Sequence, residues 1–429
     1  MNKFVCILIV MCGYTNAFGE DWPQWRGVNR DGVLDHTPLL EKFPADELER
    51  LWTVPLGAGY SGPTVADGRV YVTDRGPLDV EKEIERVLCF DAADGSLIWE
   101  HAYDAPYTIS YRAGPRATVT VHQGRAIAVG AMGHMKCLDA KTGKVFWEHD
   151  LNQMYSLRMP IWGITASPLI YDDLVIQIAA GSGEACVVAF DLETGQPRWQ
   201  ALDERAGYSA PILVRQGQQD VVVCWTGESV SGLNPQTGEV FWNIPMLPRN
   251  MPIGVATPII QGNDLFVSSF YDGSMLIRID PTQPVAEQRW RRIGESERNT
   301  DSLHCMISTP IMKGDFIYGV DSYGELRCLD LKTGDRVWEN NTAVPRARWA
   351  TIHTFRYGDR ELLFNDQGEL ILAELRPDGY REISRTKVIE RTRQQLNRRG
   401  GVTWAHPAIA DGMIYARNDK ELVCASLKP

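Results

Sequence analysis

Twelve residues, Arg327-Cys328-Leu329-Asp330-Leu331-Lys332-Thr333-Gly334-Asp335-Arg336-Val337-Trp338, constrain this chain more than any others. They read as a short apolar strand, a tight turn and a second strand ending in Trp. Asp330 stands where a carboxylate braces the turn, and Gly334 where the backbone needs a positive φ that costs glycine nothing. The unit recurs. Cys89-Phe90-Asp91 leads through Asp94-Gly95 to Trp99, Leu138-Asp139 through Thr142-Gly143 to Trp147, and Phe190-Asp191 through Thr194-Gly195 to Trp199. Leu233-Asn234 leads through Thr237-Gly238 to Trp242, and Ile279-Asp280 reaches Trp290 by a longer turn without the Gly. A degraded copy, Leu372-Ala373-Glu374, reaches Ile383 through Asp378-Gly379. Successive end positions lie 43 to 52 residues apart, a period that signals a solenoid or a propeller.

Ahead of each copy stands a small residue, often with Pro, as in Ser61-Gly62-Pro63, Ser167-Pro168, Thr257-Pro258 and Thr309-Pro310. Two alternating apolar runs follow, split by turns such as Ala66-Asp67-Gly68. Four short antiparallel strands per unit make a propeller blade rather than a helical repeat. Units begin near Ser61, Gly114, Thr165, Tyr208, Ala256, Ser308, Thr351 and Trp404, which makes eight; seven is the alternative, because the seventh copy is weak. The last unit holds about three strands, and Leu51–Leu56, with Trp52 and no blade before it, supplies the fourth. That closure removes two open sheet edges. The expected fold is all-β: an eight-bladed β-propeller of four-stranded antiparallel blades, its ring closed by an N-terminal strand.

The domain reading is a signal peptide at 1–17, an N-terminal arm at 18–50 and the propeller at 51–429. Lys3, the apolar run Phe4 to Cys12 and the small residues Thr15 and Ala17 form the signal pattern. Met11 before Cys12 does not suit a lipid-attachment box. No other segment is long and apolar enough to span a bilayer, so the protein is expected to be exported, periplasmic or extracellular. A formal net charge of −11 argues against nucleic acid as a partner. Of nine Cys, Cys6 and Cys12 leave with the signal. Cys89, Cys137, Cys328 and Cys424 share one slot in different blades, too far apart to pair, and read as small buried hydrophobes. In the arm, Trp22 and Trp25 are expected to clamp an extended segment on the propeller; 38–48 reads as a helical turn or two.

The repeated Asp-x-x-Thr-Gly-x-x-x-Trp, with the opening Trp22-Pro23-Gln24-Trp25-Arg26-Gly27, resembles the pyrroloquinoline-quinone (PQQ)-like repeat family over nearly all of the mature chain. That family includes quinoprotein alcohol dehydrogenases and an outer-membrane assembly lipoprotein. The resemblance implies that Trp52, Trp99, Trp147, Trp199, Trp242, Trp290 and Trp338 dock between blades as structural residues. Its enzymes hold PQQ in the central funnel with Ca²⁺, a Trp floor and a disulfide between adjacent Cys. This chain has no adjacent Cys pair and no Cys-x-x-Cys-His, and its eight His show no metal-ligand spacing. No catalytic residue, metal site or cofactor is therefore expected, and PQQ with calcium stays as an alternative that no motif supports.

The connections from each Trp strand to the next blade should open on one face. They carry Arg112, Arg158, Trp162, Arg249, Arg346, Arg348 and Trp349, and the longest carries Arg391, Arg393, Arg398, Arg399 and Trp404, with a helix-like stretch from Glu390 to Asn397. A basic and aromatic face on an acidic protein points to an anionic ligand or a protein partner. The expected function is an exported, non-catalytic binding propeller. The alternatives are a PQQ-dependent dehydrogenase using the funnel and an envelope assembly scaffold.

Overall fold

The computed structural model describes residues 21–34, 37–76 and 83–429; the expected signal segment lies outside them. Eight four-stranded antiparallel sheets follow one another in chain order. Blade 1 runs from Thr64 to Asp104, blade 2 from Thr120 to Asp150, blade 3 from Leu169 to Ala201 and blade 4 from Ile212 to Pro245. Blades 5, 6 and 7 span Ile259 to Arg292, Ile311 to Asn340 and Ile352 to Lys387. Blade 8 takes three strands from Ala408 to Ser426 and its fourth from Arg50–Pro55, which pairs antiparallel with Glu421–Ser426. The ring is thus an eight-bladed propeller closed by its N-terminal strand.

The repeat chemistry explains the blade-to-blade contact. The Asp191 carboxylate accepts from Glu193 N, Thr194 N and Thr194 Oγ1, and Gly195 N closes the turn on Asp191 O at 2.9 Å. Gly195 has φ +73°, and a Cβ there would meet the Trp147 ring of the preceding blade at 2.7 Å. Glycine is needed twice over, for the left-handed backbone and for the indole lying on it. Trp147 Nε1 then donates to Leu192 O in that same neighbouring turn. The arrangement repeats for Trp52, Trp99, Trp199 and Trp290, and Trp338 keeps only the indole bond; these indoles reach the next blade's carbonyls at 2.8–3.1 Å.

Blade 4 departs from this rule because the following turn lacks the Gly. Trp242 Nε1 donates instead to Gln216 Oε1 in its own blade. Gln216 Nε2 in turn donates to Asp280, Gln283 and Val285 carbonyls of the longer turn.

Every fourth strand carries a β-bulge at the residue before the Trp slot. The bulge turns that residue outward, so Leu51, Ile98, Phe146 and Val337 are exposed apolar side chains beside half- or fully buried Trp. In blade 7 the bulge falls on Ile383, and Ser384 opposite Leu372 takes the Trp slot, one residue later than the sequence spacing indicates. The arm packs beside this position. Buried Phe43 donates its N–H to Ser384 Oγ at 2.9 Å and packs in the cluster shared by blades 7, 8 and 1.

Among the described residues seven Cys are free and buried. Cys89, Cys137, Cys328 and Cys424 each lie directly across from a repeat Trp. Opposite the other repeat Trp residues the same slot holds Ala189, Gly232 and Leu276. Burial pushes these four thiols up to about 12. Two local expectations fail. Neither 38–48 nor Glu390 to Asn397 is helical; the one α-helix among the described residues is Leu151–Tyr155. The 390–397 stretch is held instead by the buried Asp419 carboxylate, which accepts from Thr392 Oγ1, Gln394 N and Gln395 N. That tertiary acceptor outweighs helix propensity.

Candidate functional site

The arm crosses the central channel and ties the blades together. Trp22 exchanges two backbone hydrogen bonds with Val65 of blade 1, and Pro23 O accepts from Val121 N of blade 2. The Arg30 guanidinium is buried and donates to Gln24 Oε1, to Ser167 O and Pro168 O of blade 3, and to Pro211 O leading into blade 4. Trp25 Nε1 donates to Thr257 Oγ1 at 2.7 Å, ahead of blade 5. Val33–Leu34 then adds a parallel strand to blade 7.

Above this floor lies a cavity of about 130 Å³. All eight connections contribute to its wall: Tyr60, Tyr111 with Arg116, Trp162 with Thr165, Tyr208, Val255, Met306 with Ile307, Trp349 and Trp404. Trp25, His353 and His406 close it from the arm side. Five rings form an arc across the mouth. Trp162 lies 4.9 Å from Tyr208 and 6.0 Å from Tyr111, Tyr111 lies 6.1 Å from Trp349, and Trp349 lies 6.4 Å from Trp404. The tilted and edge-on angles are those aromatic quadrupoles prefer.

Trp162, Trp349 and Trp404, expected on one face, are therefore brought together. The arginines expected with them are not in the wall. Arg112 pairs with Glu83 at 2.5 Å, Arg158 with Asp203 at 2.8 Å, Arg249 with Asp272 at 4.0 Å and Arg346 with Glu325 at 2.6 Å. Arg348 pairs with Glu297 at 3.3 Å while its guanidinium lies over Trp349 at 4.8 Å, and Arg399 pairs with Asp366 at 3.1 Å. Arg391 bonds to Gln367 Oε1 and Arg399 O. Arg393 and Arg398 are exposed. The face is thus largely charge-balanced, its acids supplied by residues 21 to 51 positions away in the chain. Arg116, Tyr60, His353 and His406 were not singled out for the site. Only their place at the starts of innermost strands, a regular position in the repeat, marks them.

The wall holds no carboxylate and no amide, and no group of three or more His, Cys, Asp or Glu among the described residues is placed to hold a metal. These residues do not fit a calcium-assisted quinone. The floor is instead cationic. Arg26 and Arg30 are fully buried, and desolvation lowers them to about 10 and about 9. The His353 and His406 rings lie 4.8 Å apart, His353 Nε2 donates to Trp404 O, and Trp25 lies 4.9 Å from His406. Burial and the Arg26 charge lower His353 to about 4 and hold His406 well below its ordinary value.

The unfolded chain therefore binds more protons than the folded one between the ordinary His pKa of about 6.5 and about 4. Stability should fall as pH drops through that window, by about 1.4 kcal/mol per unit for each His. His353→Gln, which keeps a donor for Trp404 O, should flatten the slope; equal slopes in urea melts from pH 7 to 4 would contradict this.

Residues 42–214 and 83–340 match the family described as outer membrane protein assembly factor BamB. The BamB of Burkholderia pseudomallei is 22% identical over 398 residues, 86% of this chain and 91% of that protein. The BamB of Yersinia pestis is 24% identical over 205 residues, 47% of this chain and 49% of that protein. The crystal structure of BamB from Moraxella catarrhalis superposes with a TM-score of 0.59 at 18% identity, covering 89% of this chain and 98% of that one, and shares the fold. Repeat, ring and matched residues agree: the chain belongs to the PQQ-like repeat family of outer membrane protein assembly factor BamB.

Proposed function

We propose that this chain is an exported, non-catalytic binding propeller that serves as an envelope scaffold and receives a partner protein on the face where its eight connections meet. The aromatic arc on the ring axis carries this reading. Trp, Tyr, Met and Arg concentrated in a central basin inside a polar, charge-balanced rim is the make-up of a protein-binding hot spot. The family relation to an outer membrane protein assembly factor supports the scaffold role. The lack of carboxylates in the wall supports function without PQQ, and no helix among the described residues is long and apolar enough to cross a membrane.

A photo-crosslinker replacing exposed Ile161 beside the arc, in cells, should capture one defined envelope protein, and one replacing exposed Val337 on a blade's outer edge should not. The same purified chain with PQQ and Ca²⁺ should give no dye-linked alcohol oxidation. Capture from both positions or from neither, or calcium-dependent turnover, would overturn the reading.

A further inference from the structure

Arg116 is out of balance with its surroundings. It enters the cavity wall from the connection between blades 1 and 2, where Gly114 O accepts from Nη1 and Ser110 O and Tyr111 O accept from Nη2. Those bonds use three of the five N–H donors of a guanidinium and leave two. Its charge lies over the Tyr60 ring at 4.8 Å and the Tyr107 ring at 5.8 Å. The carboxylate whose field reaches it, Glu85, is already taken by the Tyr103 and Tyr107 hydroxyls and by Ala131 N. Arg112, Arg158, Arg346 and Arg348 on the same face each pair with an acid, whereas no acid among the described residues forms an ion pair with Arg116. A half-buried cation held by carbonyls and aromatic faces at the cavity wall can still take an anion as its counter-ion.

The rest of the wall limits what that counter-ion can be attached to. The space of about 130 Å³ is close to the roughly 150 Å³ of an engineered apolar cavity that takes up benzene. Trp162, Trp349 and Trp404 offer ring faces and edges. Thr165 Oγ1 is committed to Tyr208 O, while the buried Trp349 and Trp404 Nε1 donors have no partner, which favours a ligand that accepts hydrogen bonds. A cationic ligand would meet Arg116 and, beneath, the buried Arg26 and Arg30.

We propose that the cavity binds a small monocarboxylate bearing one apolar ring, its carboxylate on the free Arg116 donors and its ring among Trp162, Trp349 and Trp404. The ligand would share the aromatic basin with the proposed protein partner, but its binding does not depend on that partner.

The test titrates the full chain with phenylacetate, phenylacetamide and acetate, read by calorimetry and by quenching of the cavity tryptophans. Phenylacetate should bind at least tenfold more tightly than phenylacetamide, which lacks the charge, and than acetate, which lacks the ring. The acid-over-amide preference should vanish in Arg116→Met and persist in Arg116→Lys, with thermal melts confirming that both fold. The wild-type acid–amide comparison needs no variant, so a misfolded Arg116→Met leaves the proposal open to refutation. Equal binding of acid and amide, no binding of either, or a preference that survives in a folded Arg116→Met would each overturn it.

Discussion

A chain lacking Arg50–Pro55 should show no cooperative thermal transition. The strand has two tasks. It completes blade 8 through pairing with Glu421–Ser426, and it carries Trp52, 8% exposed, across the last interface of the ring. A Cβ on Gly95 of blade 1 would meet the Trp52 ring at 2.8 Å, and Trp52 Nε1 donates to Ala92 O at 3.0 Å. Losing the Trp alone costs about 3–5 kcal/mol. Losing the strand also bares the Glu421–Ser426 edge and parts blades 8 and 1, so the total approaches the roughly 5–15 kcal/mol that holds a whole domain together. Circular dichroism melts with sedimentation to detect aggregation measure this. A wild-type melting temperature in the deletion would show that the ring does not depend on its latch.

Trp147→Ala should cost about 3–5 kcal/mol. Trp147 is 8% exposed, stands on Gly195 of blade 3 and bonds Leu192 O there. Truncation opens a cavity between blades 2 and 3 and leaves that carbonyl without its donor. Gly195→Ala should cost at least about 1–2 kcal/mol from the left-handed backbone, with steric conflict against the indole added. The two changes act at one contact, so the double variant should cost less than the sum. Urea denaturation of the single and double variants measures the coupling; strict additivity would mean that Gly195 and Trp147 do not meet.

Arg30 shows what kind of information the chain carries locally and what kind it does not. Its neighbours, Gly27, Asp31 and Gly32, mark a turn-rich arm. Nothing among them reveals that the side chain reaches carbonyls 137 to 181 residues away and helps floor the channel. The rim arginines make the same point from the other direction. Arg348 reads as a free cation beside Trp349, yet Glu297 meets it from the preceding connection. A charge can be counted along the chain, but its neutralisation depends on which loop ends share a face.

The strands, the Trp-ended unit, the blade number and the closing strand were legible because each is written as a local period repeated around the chain. Turn acceptor, left-handed Gly and docking Trp lie within nine residues of one another, as in Asp191, Gly195 and Trp199, so their chemistry is visible without distant partners. Blade 7 blurs that period: Ser384 stands in the Trp slot, and its hydroxyl accepts from Phe43 N, 341 residues away. The cavity belongs to the same class. Its wall takes one to three residues from each of eight connections that share no motif, and only the closed ring brings them to one axis. The repeat sequence alone determined the propeller. Tertiary structure decided which of its loop residues meet, which charges cancel, and that Arg116 joins the wall of an aromatic cavity.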